Sequence, residues 1–424
     1  MTPPRISRAR PRAHDGRSGS ETAIFAATEA LLTETMLQDL TVAQIIARAG
    51  ISRANFYHYF ASKFDVLAAL VARLLEDVYT PDESWSAPAG KERAGSLEAS
   101  MAGTVELWSA HGAVICAAIE HMYTVPQIGE AWFAVREQLV QAVAGQIEYE
   151  RSHGRAGAGA PADMVATMLL CALERTFYVG TRGLDARILT PTLAAAAIDE
   201  LTARALIGRV TPDPEAAGPR PHEQTGLPEP TDTAGGILHA VGRLVCTTSL
   251  EELSVATIAD AAETSRATFY FYFASKEDAF AALFGQIAEP FVHLIEQRVS
   301  AEDPTDLGNL VLDWMHGDEV ALAVVRNTVH EWPRRPELAK VYLAAADRIE
   351  EALGAAIAAN RGHVAGAGAG ELAAALWWTV ENTFAGALAA EGHLADAEGV
   401  ARMLGDLLIA TVFGVSPAVE EATR

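Results

Sequence analysis

Apolar residues return at helical spacing from Glu21 onward. Ile24, Ala27, Leu31 and Leu32 mark one amphipathic stripe, and Ile237, Ala240 and Leu244 repeat it. A first helix is predicted in each place. Thr41 then precedes a shorter stripe of Val42, Ile45, Ile46 and Ala49, and Gln44 completes a capping box that satisfies two otherwise unpaired amides. Gly50 can take the left-handed conformation that ends this helix, and Ser52 can cap the next. The pattern predicts helix, tight turn, helix. On the third helix Phe56 and Phe60, four apart, share one face, while Arg53, Ala54 and Tyr57 fall on another. Ala61, Ser62 and Lys63 interrupt it. Ser62 with Asp65 caps a fourth helix through Val66, Leu67, Leu70, Val71 and Leu74.

This stretch occurs twice. Residues 40–67, LTVAQIIARAGISRANFYHYFASKFDVL, align without a gap to 253–280, LSVATIADAAETSRATFYFYFASKEDAF. The run Ser52, Arg53, Ala54, Phe56, Tyr57, Tyr59, Phe60, Ala61, Ser62, Lys63 recurs as Ser265, Arg266, Ala267, Phe269, Tyr270, Tyr272, Phe273, Ala274, Ser275, Lys276. Glu263 stands where Gly50 does, so that turn must strain a non-glycine residue or adopt another cap.

The rest of the chain is duplicated more loosely. Apolar helical blocks at 97–207 and 307–415 keep Trp108 near Trp314, Pro126 and Pro336 before a helix, GAGA at 157–160 and AGAGAG at 365–370, then LERTFY at 173–178 and VENTFA at 380–385. The Gly-Ala runs follow no strand and read as flexible interhelical loops. Residues 80–98 read as a loop with Trp85 as a surface plug, and 1–20 as a disordered basic arm. Residues 208–234, rich in Pro and Glu, read as a semi-extended linker. The predicted organisation is arm 1–20, head 21–76, helical domain 77–207, linker 208–234, second head 235–289 and second helical domain 290–424.

Half of the 424 residues are hydrophobic and β-branched alternation is scarce, so an all-α fold is expected. Cys116, Cys171 and Cys246 lack CxxC spacing and the histidines form no HxxxH pair, so neither a disulfide framework nor a metal site is expected. No nucleophile–base pair or phosphate loop marks an enzyme, and no cofactor or catalytic residue is expected. The N-terminus lacks a signal peptide's apolar segment and no apolar run reaches membrane-spanning length without charge, so a cytoplasmic location with no membrane partner is expected. A net charge of −23 opposes indiscriminate nucleic-acid coating. It leaves room for a localised reading surface, because basic residues outnumber acids in 1–63.

The third helix has the chemistry for such a surface. Arg53 can bond guanine O6 and N7, the Ala54 methyl can touch a thymine methyl, and Tyr57, Tyr59 and Lys63 can donate to phosphates. The pattern TV..I...AG.S...FYHYF.SK in 41–63, with its near-copy in 254–276, resembles the TetR family of bacterial transcriptional repressors. That resemblance implies two tandem units, each a three-helix DNA-binding head and a helical ligand domain whose last two helices form a dimer interface. By position it makes Thr41, Ser52, Arg53, Ala54, Asn55, Tyr57, His58, Tyr59 and Lys63 DNA contacts, with Ser254, Ser265, Arg266, Ala267, Thr268, Tyr270, Tyr272 and Lys276 in the second head. Phe271 replaces His58 and removes a polar contact.

The later landmarks resemble the branch of the family with long apolar ligand tunnels. This implies pockets lined by Trp108, Trp132, Phe177 and Tyr178, and by Trp314, Trp377, Trp378 and Phe384, for a lipid-like or aromatic effector. Glu174 and Glu381 are either polar handles for that ligand or core carboxylates paired to a neighbour such as Arg175. Two heads in one chain imply an intramolecular pseudo-dimer on operator DNA, with helices around 191–207 against those around 398–413, and room for a further homo-oligomer. Extended at roughly 3.1 Å per residue, the linker is long enough to allow it. Arg5, Arg8, Arg10, Arg12 and Arg17 precede the first head while Asp260 and Glu263 flank the second reading helix, so the first is expected to give most of the affinity. The competing reading is a ligand-binding or protein-interaction scaffold whose heads no longer hold DNA.

Overall fold

Side-chain caps decide where the short helices begin. In the computed structural model the described residues are 19–78, 88–206, 230–301, 303–361 and 367–414, and among them there are α-helices, two 3-10 turns and no strand. The N-terminal arginines, Trp85, Ile207, Val415 and most of the linker lie outside them.

In the first half, α1 (Gly19–Leu32), α2 (Val42–Ala49), α3 (Arg53–Tyr59) and α4 (Lys63–Val78) are followed by α5 (Lys91–His121), α6 (Pro126–Ser152), α7 (Ala162–Thr181) and α8 (Pro191–Ala205). The second half repeats the head as α9 (Thr233–Val245), α10 (Val255–Ala261), α11 (Arg266–Tyr272) and α12 (Lys276–Ser300). It continues with α13 (Pro304–Gly308), α14 (Leu310–Met315), α15 (Glu319–Glu331), α16 (Pro336–Arg361), α17 (Ala369–Leu388) and α18 (Ala397–Val412).

Thr41 and Gln44 form the full capping box on α2, and Gly50 ends it with φ 65°. Glu263 takes the same left-handed turn after α10, at φ 51°, so the second copy keeps the geometry and bears the strain. Thr264 N–H donating to Ala259 O mirrors Ile51 N–H donating to Ile46 O. The heads are built on aromatics. Phe56 and Phe269 are fully buried, and Phe60 packs 5.6 Å from Phe25. On α2 only Ile45 is fully buried; Val42, Ile46 and Ala49 are half-buried.

Two compact units divide the chain at Met1–Ala142 and Val143–Arg424. The division falls inside α6 and not at the linker. In the first unit α1 packs on α2, α3, α4 and α5. In the second, α7 lies along α17, and α8 meets α7, α17 and α18, so helices from both halves of the sequence share one four-helix core. Small residues permit this approach: Ala166, Ala172, Ala194, Ala197, Ala373 and Ala385 are fully buried. The 157–160 loop is held and not loose, because Arg151 donates to the carbonyls of Gly157 and Ala160 at 3.1 and 2.8 Å.

Segment Met101–His121 of α5 is long and apolar enough to cross a membrane by length and composition, although it carries Glu106 and Glu120 and 44% of its window is buried in protein.

Candidate functional site

Ser52 caps α3 by accepting from the Asn55 amide at 3.1 Å, and Ser265 caps α11 by accepting from Thr268 at 3.0 Å. The caps start each helix so that its first turn faces out. Arg53, Ala54, Tyr57 and His58 are exposed, as are Arg266, Ala267, Tyr270 and Tyr272, while Tyr59, Asn55 and Thr268 are half-buried. The buried Phe56–Phe60 and Phe269–Phe273 pairs, 6.2 and 5.9 Å between centroids, anchor the opposite faces. The Arg53 guanidinium lies 5.6 Å over the Tyr57 ring, which preorders it. Asn55 donates to Ser20 at 2.8 Å, tying the reading helix to the start of α1. Thr41 and Ser254 are exposed at the starts of α2 and α10. Phe271 is 80% exposed and meets Tyr272 edge-on at 5.0 Å, just as His58 meets Tyr59 at 5.1 Å.

The lysines correct the sequence expectation. Lys63 Nζ donates to the carbonyls of Leu37, Gln38 and Leu40 at 2.7–2.8 Å, and Lys276 does the same to Leu250, Glu251 and Leu253. An ammonium has three donors, and all three are spent, so each lysine holds the loop after the first helix instead of a phosphate. Burial pushes the Lys63 pKa down against the pull of Asp39.

A cavity of about 560 Å³, counted out to its mouth, opens in the second half between α12, α14, α15, α16 and α17. Trp314, Trp377, Glu381 and Phe384 line it. Trp378 does not: its Nε1 donates to Asp185 at 2.8 Å on the other side of α17. Phe284, Phe291 and Tyr342 also line it and were missed, although Phe284, Ile287 and Phe291 at helical spacing mark an apolar stripe on α12. Phe291 stacks on Trp314 at 3.9 Å.

Glu381 is a core carboxylate. Its Oε2 accepts from Arg175 Nε at 3.0 Å, and its Oε1 accepts from Tyr342 OH at 2.8 Å and Trp332 Nε1 at 3.4 Å. Burial raises its pKa, and the three donors oppose that rise. Arg175 comes from α7, so the neighbour it neutralises belongs to the other half of the sequence. Tyr178, expected in the first pocket, meets Trp332 edge-on at 6.2 Å in this same cluster. Of the other first-pocket residues, Trp108 on α5 is buried and Trp132 on α6 half-buried in one compact unit; Glu174 and Phe177, both buried, are on α7 in the other. A second link joins the half-buried Arg187, after α7, to the buried Glu350 on α16 at 2.8 Å. Burial and then the Asp185 charge push the Glu350 pKa up to about 9, against the pull of Arg187.

Fully helical heads with exposed, capped reading turns define a helix-turn-helix DNA-binding protein. Residues 24–70 and 237–283 both match the model of bacterial regulatory proteins of the tetR family, and residues 97–206 match the C-terminal domain of transcriptional regulator EthR. The chain is 30% identical over 179 residues to the HTH-type transcriptional regulator EthR of Mycobacterium tuberculosis (strain ATCC 25618 / H37Rv), covering 42% of this chain and 83% of that protein. It is 31% identical over 174 residues to EthR of Mycolicibacterium smegmatis, covering 41% and 79%. The crystal structure of regulatory protein TetR from Rhodobacter sphaeroides is 20% identical with a TM-score of 0.34, over 44% of this chain and 98% of that one. The chain belongs to the TetR family of transcriptional regulators and carries two tandem units of it.

Proposed function

We propose that this chain is a one-component repressor that reads an operator with both heads of a single polypeptide and leaves it when a small apolar effector fills a helical domain. The observation that carries the reading is the pair of Ser-Arg-Ala turns, exposed at capped helix starts and backed by buried phenylalanines. In each head Arg53 or Arg266 reads a guanine and Ala54 or Ala267 a thymine methyl, while Tyr57, Tyr59, Tyr270 and Tyr272 hold phosphates. Thr41, Ser52, Asn55 and His58, and Ser254, Ser265 and Thr268, complete the two surfaces.

The packing of α7 and α8 on α17 and α18 supports an intramolecular pseudo-dimer, the arrangement that gives a palindrome reader two heads. The Arg175–Glu381 pair supports a route from effector to heads. A ligand in the second cavity presses on Glu381, and Glu381 is tied to α7 of the first half.

Electrophoretic titration of the whole chain against duplexes with one or both half-sites scrambled tests the reading. Specific binding should need both half-sites, weaken steeply with salt, and fall further when the first half-site is lost. Binding that is equally weak on every duplex and insensitive to salt favours the scaffold reading instead.

A further inference from the structure

The start of α12 is the hub of the second head. Lys276 there holds the Leu250, Glu251 and Leu253 carbonyls, and Asp278 accepts from the Ala274 amide at 3.0 Å, just past the end of the reading helix. Glu277, between them, is tied outside the head. Its Oε1 accepts from Arg335 Nη1 at 3.2 Å, and Arg335 Nε donates at 2.8 Å to Glu331, whose other oxygen accepts from Arg334. Arg335 closes the 3-10 turn Trp332–Arg334 that leads into α16. At the other end of that turn Trp332 is fully buried, stacks on Tyr342 at 5.0 Å and donates to Glu381, the carboxylate held by Arg175 of the first half. Four residues, Trp332 to Arg335, thus join the core where the halves meet to the second head.

The first half cannot build this bridge. At matching places it has Phe64 for Glu277, His121 for Glu331, Met122 for Trp332 and Val125 for Arg335. Phe64 meets the buried His121 edge-on at 5.4 Å, so there rings join head to domain. In the second half the Arg335 and Glu277 side chains are each 23% exposed, and such a pair adds little to global stability. What it supplies is orientation, because one planar guanidinium ties carboxylates from two elements. We infer that Arg335 is a positioning residue for DNA reading: through Glu277 it sets the second head on the core shared by the two halves, a tie the first head lacks. The inference rests on the heads' reading DNA.

The test follows amide hydrogen exchange over 250–276 and 37–63 in the full chain for Glu277→Ala, Arg335→Ala and the double variant. Each single substitution should speed exchange in 250–276 by about twofold to fivefold, the worth of a part-exposed ion pair. The double variant should add nothing beyond the larger single, and 37–63 should not change. On operator duplexes selected from random sequence by the unmodified chain, the same variants should lose a similar factor where only the second half-site is intact, and none where only the first is. Glu277→Gln keeps the size and one acceptor oxygen, and should show a smaller shift in both readouts even if Arg335→Ala fails to fold.

Unchanged exchange in the second head, or a double variant whose effect is the product of the singles, overturns the tie. A coupled rise in exchange that leaves binding to the second half-site untouched overturns the positioning role. If the unmodified chain selects no duplex, the reading of DNA falls and takes the positioning role with it, while the exchange cycle still decides the tie.

Discussion

The two copies of the family unit differ where their helices pack on one another. At matching places in LERTFY and VENTFA the first copy has Arg175 and the second Asn382, each after a buried glutamate. Arg175 reaches Glu381, whereas Asn382 only donates to the Cys171 carbonyl at 3.1 Å. A homodimer would repeat its contacts about a two-fold axis. A duplicated chain need not, and here one side supplies the charge and the other the countercharge. The duplication freed each copy to specialise.

The sharpest way to break this comparison is at that pair. Arg175→Ala leaves Glu381, 2% exposed at its side chain, without its cation, and should cost about 3–5 kcal/mol in denaturant unfolding. Asn382→Ala removes one neutral hydrogen bond and should cost about 1 kcal/mol. Equal losses would restore symmetry.

The reading turns come next. Arg53→Ala should weaken operator binding by about 1–3 kcal/mol in fluorescence anisotropy. Arg266→Ala should do less, because the exposed Glu263 and Phe271 on either side of it in the sequence bring negative charge and apolar surface to that head. Equal effects would show that the heads share the work.

A third test is pH. Glu350 titrates near its ordinary 4.5 when unfolded and at about 9 when folded. Its raised value means its stabilising share is whole below pH 4.5, drains as pH climbs from there to about 9, and is flat beyond. Glu350→Gln should flatten that slope, by at least about 1 kcal/mol between pH 5 and 8, in melts followed by circular dichroism.

The smallest effect concerns the turns. Glu263→Gly should relieve left-handed strain and stabilise the second head by up to about 1 kcal/mol, read as a higher urea midpoint. Gly50→Glu should do the reverse in the first.

Local signals made the heads legible. Thr41 with Gln44, Ser52 and Gly50 announce their helix ends because a cap is settled by residues three or four apart. The Phe56–Phe60 anchor and the outward Arg53 followed from helical spacing alone. Lys63 was misassigned for a related reason: its partners are carbonyls more than twenty residues away, and spacing says nothing about them. The cavity was half legible. Trp314, Trp377 and Phe384 could be named, but which side of α17 each tryptophan takes depends on the neighbours, and Asp185 draws Trp378 away.

The break in the second ligand domain shows the same limit. The first half runs α5 unbroken through Trp108 and Gly112, while the second stops after Trp314 and restarts where Asp318 accepts from Ala321 N–H. An aspartate cap after Gly317 is a visible signal; that it sets Trp314 against Phe291 is not.

The sequence by itself determined that the chain is helical, that its heads are doubled, and that each presents a Ser-Arg-Ala turn, because these depend on caps and on periodicity within a few residues. Only the tertiary structure decided that α7 and α8 join the core of α17 and α18, that Arg175 neutralises Glu381, and that both lysines are occupied. The first two rest on which apolar faces and charges meet across about two hundred residues of chain, and the third on carbonyls more than twenty residues away; in each, burial and pairing choose the partner.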